Sequence, residues 1–165
     1  MKRLWAPWRM EYILKSRAPG CFLCDIIRGT EDESNLVLRR GENCVLLLNR
    51  YPYNNGHLMV APCRHVDSLE AMHDAERLEM LALASTACAA LKSSFYPNGF
   101  NIGINLGTTA GAGLKDHLHL HVVPRWDGDT NFMAVVAGVK VIPQSLADVW
   151  RQLRETLDSA SRNPD

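Results

Sequence analysis

Nothing in this 165-residue chain approaches the ~20 consecutive apolar residues that crossing a bilayer takes, so no membrane partner is expected. An excess of one charge is missing too. Lys+Arg and Asp+Glu both number 18, and without a net basic field the chain does not read as a nucleic-acid binder. Cysteine is sparse: five residues, an odd number in no disulfide-framework pattern, which argues against a stapled secreted scaffold and for the reducing cytoplasm. The basic opening at Met1–Met10 lacks the apolar core of a signal peptide. Repeats and low-complexity tracts are absent. What remains is an ordinary globular balance, 47% hydrophobic and 22% charged, at a length that fits one domain over 1–165.

Residues 1–20, with Trp5, Trp8 and Tyr12, read as an arm packed on the body or on a second subunit. Short strands follow at Leu36–Arg39 and Cys44–Leu48 around a hairpin-like turn, and at His57–Ala61 after the turn-rich Tyr51–Gly56. Asp67–Glu70 has the form of a capping box opening a short helix, and Asp74 reads as a fresh N-cap for a longer one. On that longer helix Leu78, Leu81, Ala82, Ser85, Cys88 and Ala89 share one face, and Pro97–Gly99 ends it. Phe100–Leu106 and Leu118–Val123 are strands around the glycine-rich loop Gly107–Gly113, with a further strand at Asn131–Ala137. An amphipathic helix and tail, 143–165, carries Leu146, Val149, Trp150 and Leu153 on one face. This order is α+β.

The chemistry concentrates in Asp116–Trp126. His117, His119 and His121 alternate with Leu118, Leu120 and Val122, so a strand puts the imidazoles on one face and the aliphatics on the other. Mutual repulsion discourages protonating all three, and neutral imidazoles serve as nucleophiles or metal ligands. The Thr108–Gly113 stretch, with Gly111 and Gly113, offers backbone N–H groups to phosphate oxygens; it suits a flexible turn equally well. Cys21 and Cys24, at Cys-x-x-Cys spacing, supply half of a tetrahedral zinc site that two histidines could complete. A redox pair would want a thioredoxin-like context, which is absent. Cys44, Cys63 and Cys88 read as plain core or surface residues, and His73 as solvent-exposed.

His117–Val123, three histidines separated and followed by aliphatics, resembles the signature of the histidine triad (HIT) family of nucleotide hydrolases and transferases. The resemblance runs over about residues 21–126 and takes in Leu48–Val60 and the Asn101-x-Gly-x-Asn105 pattern. Pro124–Trp126 followed by Gly128–Phe132 is similar to the branch of diadenosine tetraphosphate phosphorylases. The fold it implies is an antiparallel five-stranded sheet with one long helix and a C-terminal helix, the sheets of two chains joined across a homodimer. The activity it implies is nucleotidyl transfer on a purine nucleotide or dinucleoside polyphosphate, with His119 as nucleophile and a backbone carbonyl fixing its tautomer. His121 would bond phosphate oxygens or the leaving group, and His57 would complete the polar cluster. Asn105 would donate to an α-phosphate oxygen and Asn49 would bind the ribose, although turn capping is the plainer use of such an Asn.

Many family hydrolases carry Gln four residues before the first triad histidine; Gly113 stands there in this chain, which puts simple hydrolysis in doubt and leaves room for inorganic phosphate. Bacterial members complete the zinc site with two histidines that correspond to His65 and His117. A nucleotide-binding module without turnover and a purely zinc-centred protein are the competing readings. An intact His119 disfavours the first, and two histidines left over after four ligands disfavour the second. Leu46, Leu47 and Leu48 would suit a purine face. Unpaired sheet edges and the wide apolar helix face point to the dimer, with Trp126 reaching the partner's nucleotide pocket or its own.

Overall fold

A computed structural model describes residues 20–114, 116–129 and 141–162; the N-terminal arm and the strand expected at Asn131–Ala137 lie outside them. Five strands form one antiparallel sheet: β1 Val37–Arg40, β2 Cys44–Leu48, β3 Leu58–Pro62, β4 Gly99–Ile104 and β5 Leu120–Arg125, in the order β1-β2-β3-β5-β4. Helix α1, Phe22–Arg28, precedes them, α2, Asp74–Phe95, joins β3 to β4, and α3, Leu146–Arg162, follows β5. The expected α+β order holds. Among the described residues no helix is long and apolar enough to cross a membrane.

Period-two alternation sorts the sheet's side chains. Leu46, Leu48, Leu58, Val60, Leu118, Leu120 and Val122 point to the α2–α3 side and join Met80, Leu83, Ala87, Leu91, Val149, Leu153 and Leu157 in the main core. Val45, Leu47, Met59 and Ala61 point the other way, where α1 seals them with the fully buried Leu23. The histidines share that second face: Met59 pairs with His121, while Leu58 pairs with Val122.

Several expectations change. Asp67–Glu70 forms turns instead of a helix, because the Arg77 guanidinium takes the Leu69 and Glu70 carbonyls. The cap of α2 is His73, whose backbone N–H donates to Glu76 (2.7 Å), and Asp74 is the first helical residue. The α2 face chosen from the sequence is the outer one: Leu78 and Leu81 are 74% and 63% exposed, and Met80, Leu83, Ala84, Ala87 and Leu91 are buried instead. The helix stops at Phe95 with Tyr96 in the left-handed region. Leu46 and Leu48 belong to the main core and Leu47 lies beneath α1, so none offers a free face to a base.

The two sheet edges differ. On β1, the Trp150 indole N–H donates to the Val37 carbonyl (2.8 Å) and Arg154 to that of Leu38 (3.0 Å), so α3 closes this edge. At the far side β4 is last in order, and its Ile102 is 51% exposed.

Candidate active site and metal cluster

Backbone geometry places the site. Gly56, at φ +69, turns the chain so that His57 enters the sheet face, and a Cβ there would crowd Leu91 at 2.9 Å. The preceding loop is locked by Asn54, whose amide donates to the Pro124 carbonyl (3.0 Å) and to Asp129 (2.8 Å). Asp129 in turn pairs with Arg125 at 2.6 Å, its own side chain being only 8% exposed. The Pro-Arg-Trp and Gly-Asp elements therefore hold the loop that delivers His57. Ladder pairing of β5 begins at Leu120, so His117 and His119 sit on an extended lead-in instead of within the strand. The alternation survives, because the Leu118 N–H donates to Val66 O at 2.6 Å and its side chain stays in the main core.

Four histidines are buried here: His57, His117, His119 and His121. The His57 and His121 ring centroids lie 5.1 Å apart, and those of His119 and His121 4.8 Å apart. Backbone groups have fixed donor or acceptor roles, so they settle each tautomer. The Tyr53 N–H donates to His57 Nδ1 (3.0 Å), which puts the proton of neutral His57 on Nε2. That N–H points at His121 Nδ1, 2.9 Å away, so His121 carries its own proton on Nε2. The carbonyl of His117 accepts from His119 Nδ1 (2.9 Å), leaving the Nε2 lone pair of His119 free. The Pro62 carbonyl accepts from His117 Nε2 (2.9 Å), leaving the His117 Nδ1 lone pair for another partner.

Burial keeps His57, His117 and His121 neutral. It pushes His57 down to about 3 and His121 to about 4, with the neighbouring imidazoles adding to the effect. His117 is lowered by burial as well. An imidazole whose Nε2 lone pair is free thus stands beside one that presents an Nε2–H, an arrangement suited to nucleophilic attack next to a hydrogen-bond donor.

The free Nδ1 of His117 faces sulfur. It lies 3.2 Å from Cys21 Sγ and 3.5 Å from Cys24 Sγ, while Cys24 Sγ is 3.2 Å from His65 Nδ1. All four donor atoms fall within 4.8 Å of one another. With metal–sulfur bonds of about 2.3 Å and metal–nitrogen bonds of about 2.05 Å, the edges of a tetrahedron are roughly 3.4–3.8 Å. The donors therefore stand close to where a four-coordinate ion needs them. Burial and the adjacent Cys21 raise the Cys24 thiol. The Pro62 carbonyl at the far nitrogen of His117 would give a metal-binding imidazole its usual outer-shell support.

A HIT domain matches residues 30–128, more than half of the chain. The chain belongs to the HIT family. Among its HIT relatives, one named AP-4-A phosphorylase, from Mycobacterium tuberculosis (strain CDC 1551 / Oshkosh), is 46% identical over 161 residues, spanning 93% of this chain and 83% of the relative. The structure of a zinc-bound histidine triad family protein from Mycobacterium smegmatis superposes with a TM-score of 0.70 at 28% identity, covering 87% of this chain and 96% of that one. A hypothetical histidine triad nucleotide-binding protein from Sulfolobus tokodaii strain 7 shares the fold, with a TM-score of 0.69 at 22% identity over 86% and 95% of the two chains.

Within this HIT fold His57, His119 and His121 meet in one cluster, and Cys21, Cys24, His65 and His117 in another. Asn49 follows the Leu48–Leu58 pair and Asn105 the Ile104–Leu120 pair, so both end strands on the histidine face. Asn49 also caps its turn, accepting the Tyr51 N–H at 2.8 Å. Gly113 lies in the loop beyond β4, and Gly111 sits there at φ +92. The Gly111 N–H is turned inward to the Thr108 carbonyl (3.0 Å) and that of Ala112 to Gly107 (3.2 Å), so these two donors serve the loop itself. The Trp126 indole N–H donates to Phe95 O at 3.0 Å within its own chain. Sequence reasoning passed over Tyr53 and Pro62. Tyr53 stacks on His57 with centroids 4.7 Å apart, but it and Pro62 orient their histidines through backbone groups, which leave no trace in residue type.

Proposed function

We propose that the chain transfers a nucleotidyl group from a dinucleoside polyphosphate of the diadenosine tetraphosphate type to inorganic phosphate, through a nucleotidyl-imidazole on His119. The observation that carries this reading is the chain of settled tautomers, which leaves His119 Nε2 as a free lone pair beside the Nε2–H of His121. The relative named as a phosphorylase supports the choice of substrate. In the first step Nε2 attacks the α-phosphorus and the bond to the bridging oxygen breaks, releasing a nucleoside triphosphate from a tetraphosphate substrate. Positive charge then spreads over the modified ring, and the His117 carbonyl at Nδ1–H is placed to stabilise it. His121 donates to a phosphate oxygen or the departing one, and His57 holds His121 in the tautomer that can do so. In the second step a phosphate oxygen displaces the imidazole, giving a nucleoside diphosphate. Asn49, Asn105 and Gly113 would contact ribose and phosphates.

Cys21, Cys24, His65 and His117 would hold zinc, which would tie α1 and the 62–66 segment to the triad. Two chains would pair through the open β4 edge and the exposed Leu78 and Leu81 of α2, the faces that α3 does not cover. The deciding experiment is incubation with diadenosine tetraphosphate, with and without phosphate. ADP and ATP appearing only with phosphate support phosphorolysis. AMP and ATP formed independently of phosphate mean asymmetric hydrolysis, and binding without products means a nucleotide-binding module.

A further inference from the structure

His117 belongs to two sites at once. Its imidazole is a donor of the cysteine–histidine cluster, and its main-chain carbonyl is the acceptor that fixes the His119 tautomer. That carbonyl lies in the same rigid peptide unit as the Leu118 N–H, which donates to Val66 O at 2.6 Å. Tilting this plane moves both groups together. The segment that anchors it, 62–66, makes three attachments here: Pro62 O to the His117 ring, Val66 O to the Leu118 N–H, and His65 to the cluster itself. His65 is exposed and lies in a stretch without helix or strand, while its neighbours are held, Cys63 N–H donating to Asn43 O at 2.7 Å and Arg64 pairing with Glu76 at 2.8 Å, so its ring is the part left for the cluster to fix.

We propose that metal binding at Cys21, Cys24, His65 and His117 sets the tautomer and ring position of His119, with the His117–Leu118 peptide plane as the coupling element. With His65 and His117 sharing the cluster, the 62–66 segment would be held on that plane and its carbonyl kept aimed at Nδ1 of His119. His117 is then a positioning residue for the nucleophile, and the cluster does more than staple the fold. The inference rests on the reading of His119 as nucleophile.

Long-range proton–nitrogen NMR of protein with 15N-labelled histidine reads the His119 tautomer without any reaction. In zinc-loaded protein His119 is expected as one species protonated at Nδ1. In chelator-stripped protein and in His65→Ala its two ring nitrogens are expected to average, and zinc-loaded His65→Cys, with four donors again, should recover the single species. The companion measurement is kinetic: His65→Ala should lose ~10–100-fold in kcat with KM unchanged. If stripping unfolds the chain, cadmium-loaded protein, whose longer bonds to sulfur open the cluster, should show lower kcat at the same KM. A His119 locked at Nδ1–H in folded, metal-free protein overturns the proposal. So does equal kcat in the zinc and cadmium forms, or failure of the cluster to take up metal. A tautomer that follows zinc in a protein without turnover would support this coupling while refuting the proposed reaction.

Discussion

Acid should unfold this protein through two of its histidines, and the size of the effect follows from their burial. His57 has no exposed surface and His121 is 8% exposed, and both are held far below the ordinary 6.5, at about 3 and about 4. A histidine with a lower pKa in the folded state binds its proton more readily once the chain unfolds. Stability is therefore greatest above pH 6.5 and falls as the pH drops toward the folded values. Each group contributes a slope approaching about 1.4 kcal/mol per pH unit, so the pair should remove about 4–5 kcal/mol between pH 6.5 and 4.5. That is a large share of a typical domain's stability of about 5–15 kcal/mol. Urea unfolding at pH 6.5, 5.5 and 4.5 measures it, with His57→Asn as the comparison. Asn keeps an acceptor for the Tyr53 N–H and cannot titrate here, so this variant should lose only about 2 kcal/mol over the same interval. Release of a metal in acid affects both proteins alike and cancels in the difference. Parallel pH slopes for the two would refute the claim that His57 is kept neutral by the fold.

Other outcomes follow from the same geometry. His119→Ala should abolish turnover while nucleotide still binds in calorimetry; retention of most of the rate would remove His119 as nucleophile. Protein purified without chelator should carry about one zinc per chain by elemental analysis. Unchanged metal content in Cys21→Ser/Cys24→Ser would argue decisively against the cluster. Light scattering at micromolar concentration should give about twice the 18.5 kDa chain mass, and Leu78→Glu/Leu81→Glu should return it to one chain. A single-chain mass for the unaltered protein would refute the pairing. Leu153→Ala, emptying a fully buried position between α3 and the core, should cost about 2–5 kcal/mol in urea unfolding.

The legible parts of this fold are those where one physical rule acts alone. Alternation at 117–122 reports a sheet with one polar face, and that division survives even though the ladder starts only at Leu120. The hairpin of β1 and β2 is legible from its turn, where a side chain at Gly41 would overlap the Glu79 carboxylate. Helix α2 misleads because alanines and leucines occur all round it. With Leu78 and Leu81 on one side and Met80, Leu83 and Leu91 on another, composition alone does not choose the inner face. Helix α1 goes unseen because its seven residues carry little pattern, and the burial of Leu23 against β2 and β3 is a long-range event. At the site, residue types announce the histidines and cysteines. The carbonyls of Pro62 and His117 and the Tyr53 N–H, which give those histidines their roles, come only from folding.

Alternation on the central strand also dictates where this gene can tolerate insertions and deletions. β5 lies between β3 and β4, with imidazoles on one side and Leu120 and Val122 on the other. Losing or gaining one residue just before Leu120 would rotate the lead-in by half a period. Imidazoles would then be driven against α2, and leucines would be left at the site. A residue added among Thr108–Gly113 meets no such penalty, since that loop is mostly exposed and a side chain at Gly107, Gly111 or Gly113 would touch nothing. Length variation among related chains should therefore collect between β4 and the triad and be absent from the triad itself. The size of that loop is free to drift while the imidazoles stay in register.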